Sequence, residues 1–146
     1  MPLAAGTRLG IRSLADLATR RVRVVRRQEG AGTQILFRLL LKRAGVRYER
    51  LNVVEPPALS QTDVATAVLD GKADCGLGVR AVAQRFRLGF LPLHRERFDL
   101  AVRRRDYFED PVQTRLGFAR GTAFTSRATE LGGYDVGEIG RVIHNA

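Results

Sequence analysis

The sequence predicts an α/β fold, with a mixed, mainly parallel sheet and helices on both faces. Short apolar runs typical of buried strands alternate with amphipathic helical segments along most of the chain. Two of these runs lead directly into glycine-containing turns, at 30–33 and 76–78. The length of 146 residues is enough for one ordinary domain with a sizeable core. Together these observations predict a single domain over residues 1–146.

The first half of the chain shows clear helix and strand boundaries. Leu9 to Ile11 is an apolar lead-in, and Ser13 is the predicted N-cap of a short helix, with Asp16 three residues on. Pro56 and Pro57 predict a loop, because proline stops both helices and strands. The other predicted elements are a strand at 22–26, a helix from about Thr33 to Gly45, a strand at 46–54, the loop at 55–60 and a helix at 61–70.

The second half continues the alternation and then becomes helical. Its predicted elements are a buried strand at 73–78, a helix at 79–86, strands at 88–93 and 97–102, a helix from Phe108 or Pro111 to 118, a helix at 122–131 and an irregular tail at 132–140. In parallel sheets of this kind, ligands bind at the carboxyl ends of the strands, beside the starts of helices. The glycine turns fall at such ends.

The net charge of +10 creates a field that attracts anions, including nucleic acid. Only two of the 25 basic residues are lysines, and the arginines are scattered apart from two clusters, at 20–27 and 103–105. No helix-turn-helix, zinc or RNP signature accompanies them, and no aromatic residues are interleaved with the clusters. We therefore do not expect nucleic-acid binding to be the function of this chain by itself.

Composition also bounds location and chemistry. No apolar run approaches the ~18 residues of a transmembrane helix, and the first residues lack a signal-peptide pattern, so we expect a cytoplasmic protein without membrane association. Cys75 is the single cysteine and lies in a predicted buried strand, which indicates a structural thiol. His94 and His144 are far apart, and no metal-ligand spacing is present. We expect neither an enzyme nor a cofactor nor a metal site, and we expect Asp74 to pair with a local N–H or an arginine.

The turn between the strand at 22–26 and the following helix has the chemistry of an anion site. Free backbone N–H groups and the positive end of the helix dipole point to one spot, and the glycines allow close approach. Thr62 begins another helix, and the turn at 76–78 follows another strand, so both can contribute at the same edge. The candidate ligand-binding residues are Arg27, Gly30, Ala31, Gly32, Thr33, Thr62, Gly76 and Gly78.

Four segments resemble a family. Arg27 to Thr33 resembles the RxxGSGT turn of a periplasmic-binding-protein-like domain, class II and LysR substrate-binding-like, that occurs in molybdate-responsive-type regulators and molybdopterin biosynthesis proteins. The turn is also similar to that of tungstate-binding proteins, which place Ser-Gly-Thr at a helix start. The other matching segments, in order, are 9–17 (lgi.sl.DL), 62–78 (TH.avA.aV..GkADaGlG) and 90–100 (FipL..E.yDL).

The resemblance implies two lobes that close on a small oxyanion such as molybdate or tungstate. The chain departs from the family pattern at three positions near the turn. Ala31 replaces the serine, Gln34 follows where a basic residue is frequent, and Asp63 stands where histidine is frequent. Ala31 removes a hydroxyl donor, and a carboxylate near the site would weaken anion binding by charge repulsion. These changes bear on oxyanion selectivity and leave the backbone amides in place.

The resemblance also implies how the domain is divided. Residues 13–95 correspond to the complete second lobe, and 96–146 to the segment that returns to a first lobe. The sequence that supplies most of the first lobe in the family has no counterpart here. We expect one of four explanations. The chain is a fragment of a longer protein, it forms a homodimer, it pairs with a partner chain that supplies the lobe, or it is a structural and oligomerisation domain that has lost ligand binding.

Overall fold

The computed structural model describes the backbone of residues 3–5 and all of residues 10–19 and 22–144. Leu9, of the predicted lead-in, and Arg20 and Arg21, of the first arginine cluster, lie outside the described residues. The chain divides into two compact units, Met1–Arg95 and Glu96–Ala146.

The first unit contains a five-stranded mixed sheet. Its strands are β1 (Leu3–Ala5), β2 (Arg23–Arg27), β3 (Asn52–Ala58), β4 (Cys75–Leu77) and β5 (Gly89–Leu91), in the order β3-β2-β4-β1-β5. β2 runs parallel to both β3 and β4, whereas β1 is antiparallel to β4 and β5. The predicted mixed, mainly parallel sheet is therefore confirmed, with one antiparallel strand inserted near its edge.

Helices cover both faces of this sheet, as predicted. The helices of the first unit are α1 (Ala15–Thr19), α2 (Gly32–Arg43), α3 (Gln61–Leu69) and α4 (Arg80–Arg85). Successive strand residues point to opposite faces. Val24 accordingly packs in a core with Leu17 and Phe37 from α1 and α2, and Val25 packs in a second core with Val64 from α3.

Local sequence signals fix several helix ends. The Asp16 carboxylate accepts hydrogen bonds from the backbone N–H groups of Arg12 and Ser13, both at 2.9 Å, ahead of α1. Gly45 follows α2 with a φ of 68°, the left-handed conformation typical of a helix C-terminus. At α3, the Ser60 hydroxyl accepts from the N–H of Asp63 and the Asp63 carboxylate accepts from the N–H of Ser60, which completes a capping box.

Three predictions in this unit were wrong in detail. The loop predicted at 55–60 is mostly strand, because β3 is an edge strand with an irregular stretch opposite β2. Val25 pairs with Val54, but Arg27 pairs with Ala58, so β3 has extra residues between these two pairs. The two prolines lie in that irregular stretch, where the strand needs no backbone N–H to donate to its neighbour. The strand predicted at 46–54 begins only at Asn52, after a 3-10 turn over Tyr48–Arg50. Strand β1 was not predicted, because three residues carry too little periodicity.

The second unit is helical. It contains α5 (Asp110–Arg120), with a proline at its start as predicted, and α6 (Thr122–Leu131). Phe118 and Phe124 join the two helices, with ring centroids 5.8 Å apart in an edge-to-face arrangement. The strand predicted at 97–102 is wrong: these residues have no regular secondary structure and no β-partner among the described residues. Alternating apolar residues there mimic a strand, but a strand forms only where a neighbour pairs with it.

Candidate functional site

The carboxyl ends of β2, β3 and β4 lie at one edge of the sheet, because the three strands are neighbouring and parallel. Each strand is followed within a few residues by a helix, so the starts of α2, α3 and α4 lie at that edge as well. The predicted turn at 30–33, Gly78 and the predicted helix start at Thr62 are therefore on the same edge, whereas the rest of the predicted turn at 76–78 lies within β4. This arrangement defines the candidate site.

The glycine turn between β2 and α2 is formed and half open to solvent. Gly30 has a φ of 81°, which strongly favours glycine, and the N–H of Ala31 donates to the carbonyl of Gln28 at 3.3 Å. Ala31 is the N-cap of α2 and its side chain caps nothing. Among the described residues, no acceptor meets the N–H groups of Gly32 and Thr33, and a Cβ at Gly32 would have no neighbour within 4 Å. Two amides at the positive end of α2 are therefore without a protein acceptor in the described part of the chain.

A hydrogen bond joins the starts of α2 and α3. The side-chain amide of Gln61 donates from Nε2 to Thr33 Oγ1 at 2.8 Å. The same amide lies against buried Gly78, where a Cβ would come 3.4 Å from Gln61 Oε1. The structure thus brings Thr33, Gln61 and Gly78 together, one from each of the three strand–helix connections. Since the Thr33 hydroxyl accepts from Gln61, its own proton remains available for another acceptor.

Arg27 holds the connection that precedes α3. Its guanidinium donates to the carbonyl oxygens of Ala58, at 3.2 Å, and Leu59, at 2.8 Å, and to the side-chain oxygen of Gln28 at 3.3 Å. The predicted site residue therefore fixes the geometry of the site through its Nε and Nη2 donors. Its positive charge, which no acidic side chain neutralises among the described residues, adds to the potential at this edge.

Carboxylates near the site are engaged with other groups. Arg26 donates to Glu55 at 2.8 Å, and this hydrogen bond raises the pKa of the guanidinium. Glu29, in the glycine turn, pairs with Arg38 of α2 at 2.9 Å. Asp63 accepts from the N–H groups of Leu59 and Ser60, at 3.1 and 2.8 Å. The negative charges are thus partly offset, although Asp63 stays close to the start of α3.

Two of the predicted site residues, Thr62 and Gly76, take no part in the hydrogen bond that joins the helix starts. Thr62 is exposed in the first turn of α3, with no hydrogen-bond partner for its hydroxyl among the described residues. Gly76 is buried within β4, where a Cβ would lie 2.7 Å from side-chain atoms of both Val25 and Val64. Packing of α3 on the sheet explains the glycine at this position. A ligand contact for either residue stays a prediction.

The acids and thiol of the first unit have structural roles. Asp74 accepts from the backbone N–H of Arg23 at 2.7 Å and from its guanidinium at 2.8 Å, and this pairing lowers the pKa of Asp74. Cys75 is buried, as predicted, and burial raises the pKa of its thiol to about 12, with the Asp74 charge as a second cause. A thiol with this pKa is protonated near neutral pH and a poor nucleophile.

The described residues contain no group of three or more His, Cys, Asp or Glu side chains arranged to hold a metal ion. No helix in the described part of the chain has the length and apolarity needed to cross a membrane. What the site offers is a set of hydrogen-bond donors at a helix start, a chemistry suited to small anions. Gln61 was not among the predicted site residues. The sequence feature that could have indicated Gln61 is the Ser60–Asp63 capping box. It places Gln61 in the first turn of α3, beside the connection between β2 and α2.

Comparison with known proteins agrees with this architecture. The profile described as PBP superfamily domain matches residues 2–120. An uncharacterised protein of Bacillus subtilis (strain 168), YvgK, is 24% identical over 138 residues, which cover 94% of this chain but 44% of the relative. An uncharacterised protein in the ferredoxin 2Fe-2S gene 5′ region of Clostridium pasteurianum is 27% identical over 85 residues, covering 58% of this chain and 75% of the relative.

The chain thus spans less than half the length of the Bacillus relative and three quarters of the clostridial one. Neither relative has a described activity in its name. The superfamily profile is the more informative match, because it includes every strand of the sheet and the whole candidate site. Since it covers most of the sequence, this chain belongs to the PBP, or periplasmic-binding-protein-like, superfamily.

Proposed function

We propose that the first unit binds a small oxyanion at the start of α2, beside the start of α3. The 2.8 Å hydrogen bond from Gln61 to Thr33 carries this proposal, because it holds the two helix starts together. The ligand would accept hydrogen bonds from the N–H groups of Gly32 and Thr33 and from the Thr33 hydroxyl. Charge-assisted hydrogen bonds from preorganised backbone donors are among the stronger polar contacts in proteins.

The ligands we propose are molybdate-like or tungstate-like oxyanions. The resemblance of the turn at 27–33 to the RxxGSGT motif supports this choice, as does the positive net charge. The wider role we propose is sensory, as part of a regulator or of a protein of the molybdenum-cofactor pathway. Binding rather than catalysis fits the groups present, because Asp74 is paired and the Cys75 thiol is held protonated.

A two-lobed clamp needs a surface opposite this site. We propose that a second copy of the chain or a partner chain supplies it, because the Bacillus relative is more than twice the length that this chain matches. An open site on one lobe exposes a bound anion to water, which weakens each contact. Light scattering on the purified chain, with and without ligand, tests the second-copy form of this proposal: dimerisation that strengthens with tungstate supports that form, and a monomer under both conditions contradicts it.

A second candidate function is a structural or oligomerisation domain that has lost ligand binding. Ala31 favours it, because the side chain at the N-cap of α2 offers no hydroxyl to a ligand. Nucleic-acid binding is a further alternative, supported by the net charge alone. Both alternatives predict that small oxyanions produce no binding at the glycine turn.

Isothermal calorimetry with molybdate, tungstate, sulfate and phosphate tests the proposal on the full chain. We expect saturable heat from at least one of them, and about tenfold weaker binding for Thr33→Val, which removes the hydroxyl while keeping the side-chain shape. Thr125→Val is the matched control, since Thr125 lies in α6 and its hydroxyl donates to the carbonyl of Gly121. Absence of heat from all four anions at millimolar concentration, in a folded sample, would refute the proposal.

A further inference from the structure

A group of cationic side chains lies near the other end of α2. An open groove is lined by three cationic side chains, Arg38, Lys42 and Arg47, and by the less polar surface of Leu41, Gly45, Val46 and Tyr48. We call it the basic groove. It is separate from the glycine turn. The turn precedes α2, whereas the groove lies along the last turns of α2 and the connection to β3.

The three cationic side chains of the basic groove differ in whether other groups of the protein bind them. Arg38 is fixed, since its guanidinium lies 4.2 Å from the centre of the Tyr48 ring and donates to Glu29 at 2.9 Å. Lys42 and Arg47 have no acidic partner among the described residues. Two cations without partners beside a fixed guanidinium leave a local excess of positive charge.

Tyr48 adds a hydrogen-bond donor to the groove, whereas the backbone N–H groups at the end of α2 are already engaged. At the end of α2 the carbonyls of Leu40, Leu41 and Lys42 already accept from the N–H groups of residues 44–46, at 2.9 to 3.1 Å. The negative end of the α2 dipole still lies here, and the charges of Lys42 and Arg47 oppose it. Buried Gln34 donates to the Tyr48 hydroxyl at 3.3 Å, which leaves the hydroxyl proton available to an acceptor.

We propose that the basic groove binds an organic phosphate, in which a phosphate monoester is joined to a small apolar body. A phosphate monoester carries close to two negative charges near neutral pH, which matches the unpaired Lys42 and Arg47. Its apolar part would lie on Val46 and the Tyr48 ring. Inorganic phosphate has no such part and a neutral alcohol has no charge, so both bind more weakly. The inference does not depend on the oxyanion site.

Nitrogen–proton NMR of the full chain, titrated with phenyl phosphate, tests the proposal. The backbone signals of Gly45 and Val46 report on the groove, and those of Gly32 and Thr33 report on the oxyanion site. We expect saturable shifts at Gly45 and Val46, smaller shifts with inorganic phosphate at equal concentration, and none with benzyl alcohol. Loss of one cation in Lys42→Ala or Arg47→Ala should weaken binding about three- to tenfold.

Arg85→Ala is the control, because it removes the same charge from an exposed arginine of α4 that lines no part of the groove. It should bind phenyl phosphate like the unsubstituted chain. The proposal is overturned if Gly45 and Val46 do not shift, if benzyl alcohol shifts them equally, or if Arg85→Ala weakens binding as much as Arg47→Ala. Shifts with a DNA duplex but none with phenyl phosphate would also overturn it, in favour of a polyanion surface.

Discussion

The two compact units differ in what they bury and in what charge they carry. The first unit has a core on each side of its sheet, whereas Ala128 is the one buried residue in the described part of the second. The first unit contains 17 Lys and Arg against 7 Asp and Glu, and the second has 8 of each. The whole net charge of +10 therefore belongs to the unit that carries both candidate anion sites.

This difference indicates where stability and binding originate. The first unit has the packed interior from which a domain gains its stability. The second exposes large apolar side chains, including Phe108 and Phe118, of the kind that proteins usually cover with another surface. Charges of opposite sign in the second unit form local pairs such as Arg127 with Glu130, at 2.8 Å, and the unit has no net charge.

The largest expected effect contrasts one phenylalanine from each unit. Phe37 is 1% exposed and Phe118 is 63% exposed. We expect Phe37→Ala to lower the free energy of unfolding by about 3–5 kcal/mol, because it opens a cavity in the core, and Phe118→Ala to lower it by less than ~1 kcal/mol. Urea denaturation followed by circular dichroism measures both. Equal losses would contradict the contrast between the units.

An intermediate effect contrasts two glycines. At Gly76 a Cβ would lie 2.7 Å from Val25 and Val64, whereas at Gly117, inside α5, it would have no neighbour within 4 Å. We expect Gly76→Ala to cost about 1–3 kcal/mol by overpacking, and Gly117→Ala to stabilise its helix by about 0.5–1 kcal/mol. Thermal melting measures whether each substitution lowers or raises the stability. A melting temperature unchanged by Gly76→Ala would show that α3 packs on the sheet more loosely than described.

The smallest effect concerns Asp74 and depends on pH. Arg23 lowers the pKa of Asp74 below its ordinary value near 3.8, so the pairing stabilises the fold above that pH and the stabilisation is lost as the pH falls through the folded-state pKa. We expect Asp74→Asn to melt below the unsubstituted chain at pH 7, with the difference shrinking in acid. A difference that is constant from pH 7 to pH 3 would show that the charge is not responsible.

The sequence predicted the fold where local signals and tertiary packing agree. The helix over 61–70 was confirmed because its apolar spacing and the following glycine both specify it. Local signals failed where a distant neighbour decides the outcome. Pro56 and Pro57 lie in a strand because that strand is at the sheet edge, and residues 97–102 form none because no strand in the described part of the chain pairs with them.

The candidate site was predicted in part. The glycine turn at 30–33 is formed and exposed as expected, because its backbone demands are local. The role of Arg27 in holding the carbonyls of Ala58 and Leu59 was not predictable, because it depends on the neighbouring parallel strand. The bond from Gln61 to Thr33 was missed for the same reason. The basic groove was not predicted either, since it needs the chain reversal at Gly45 to bring Arg47 beside Arg38.

The central claim is that an oxyanion binds at the start of α2. Calorimetry of Gly32→Ala with tungstate tests it most directly, because the added methyl group finds no clash in the protein and points toward the start of the helix. The account predicts at least about tenfold weaker binding without a lowered melting temperature, while Gly117→Ala binds like the unsubstituted chain. Tungstate binding that is unchanged in Gly32→Ala would contradict the account.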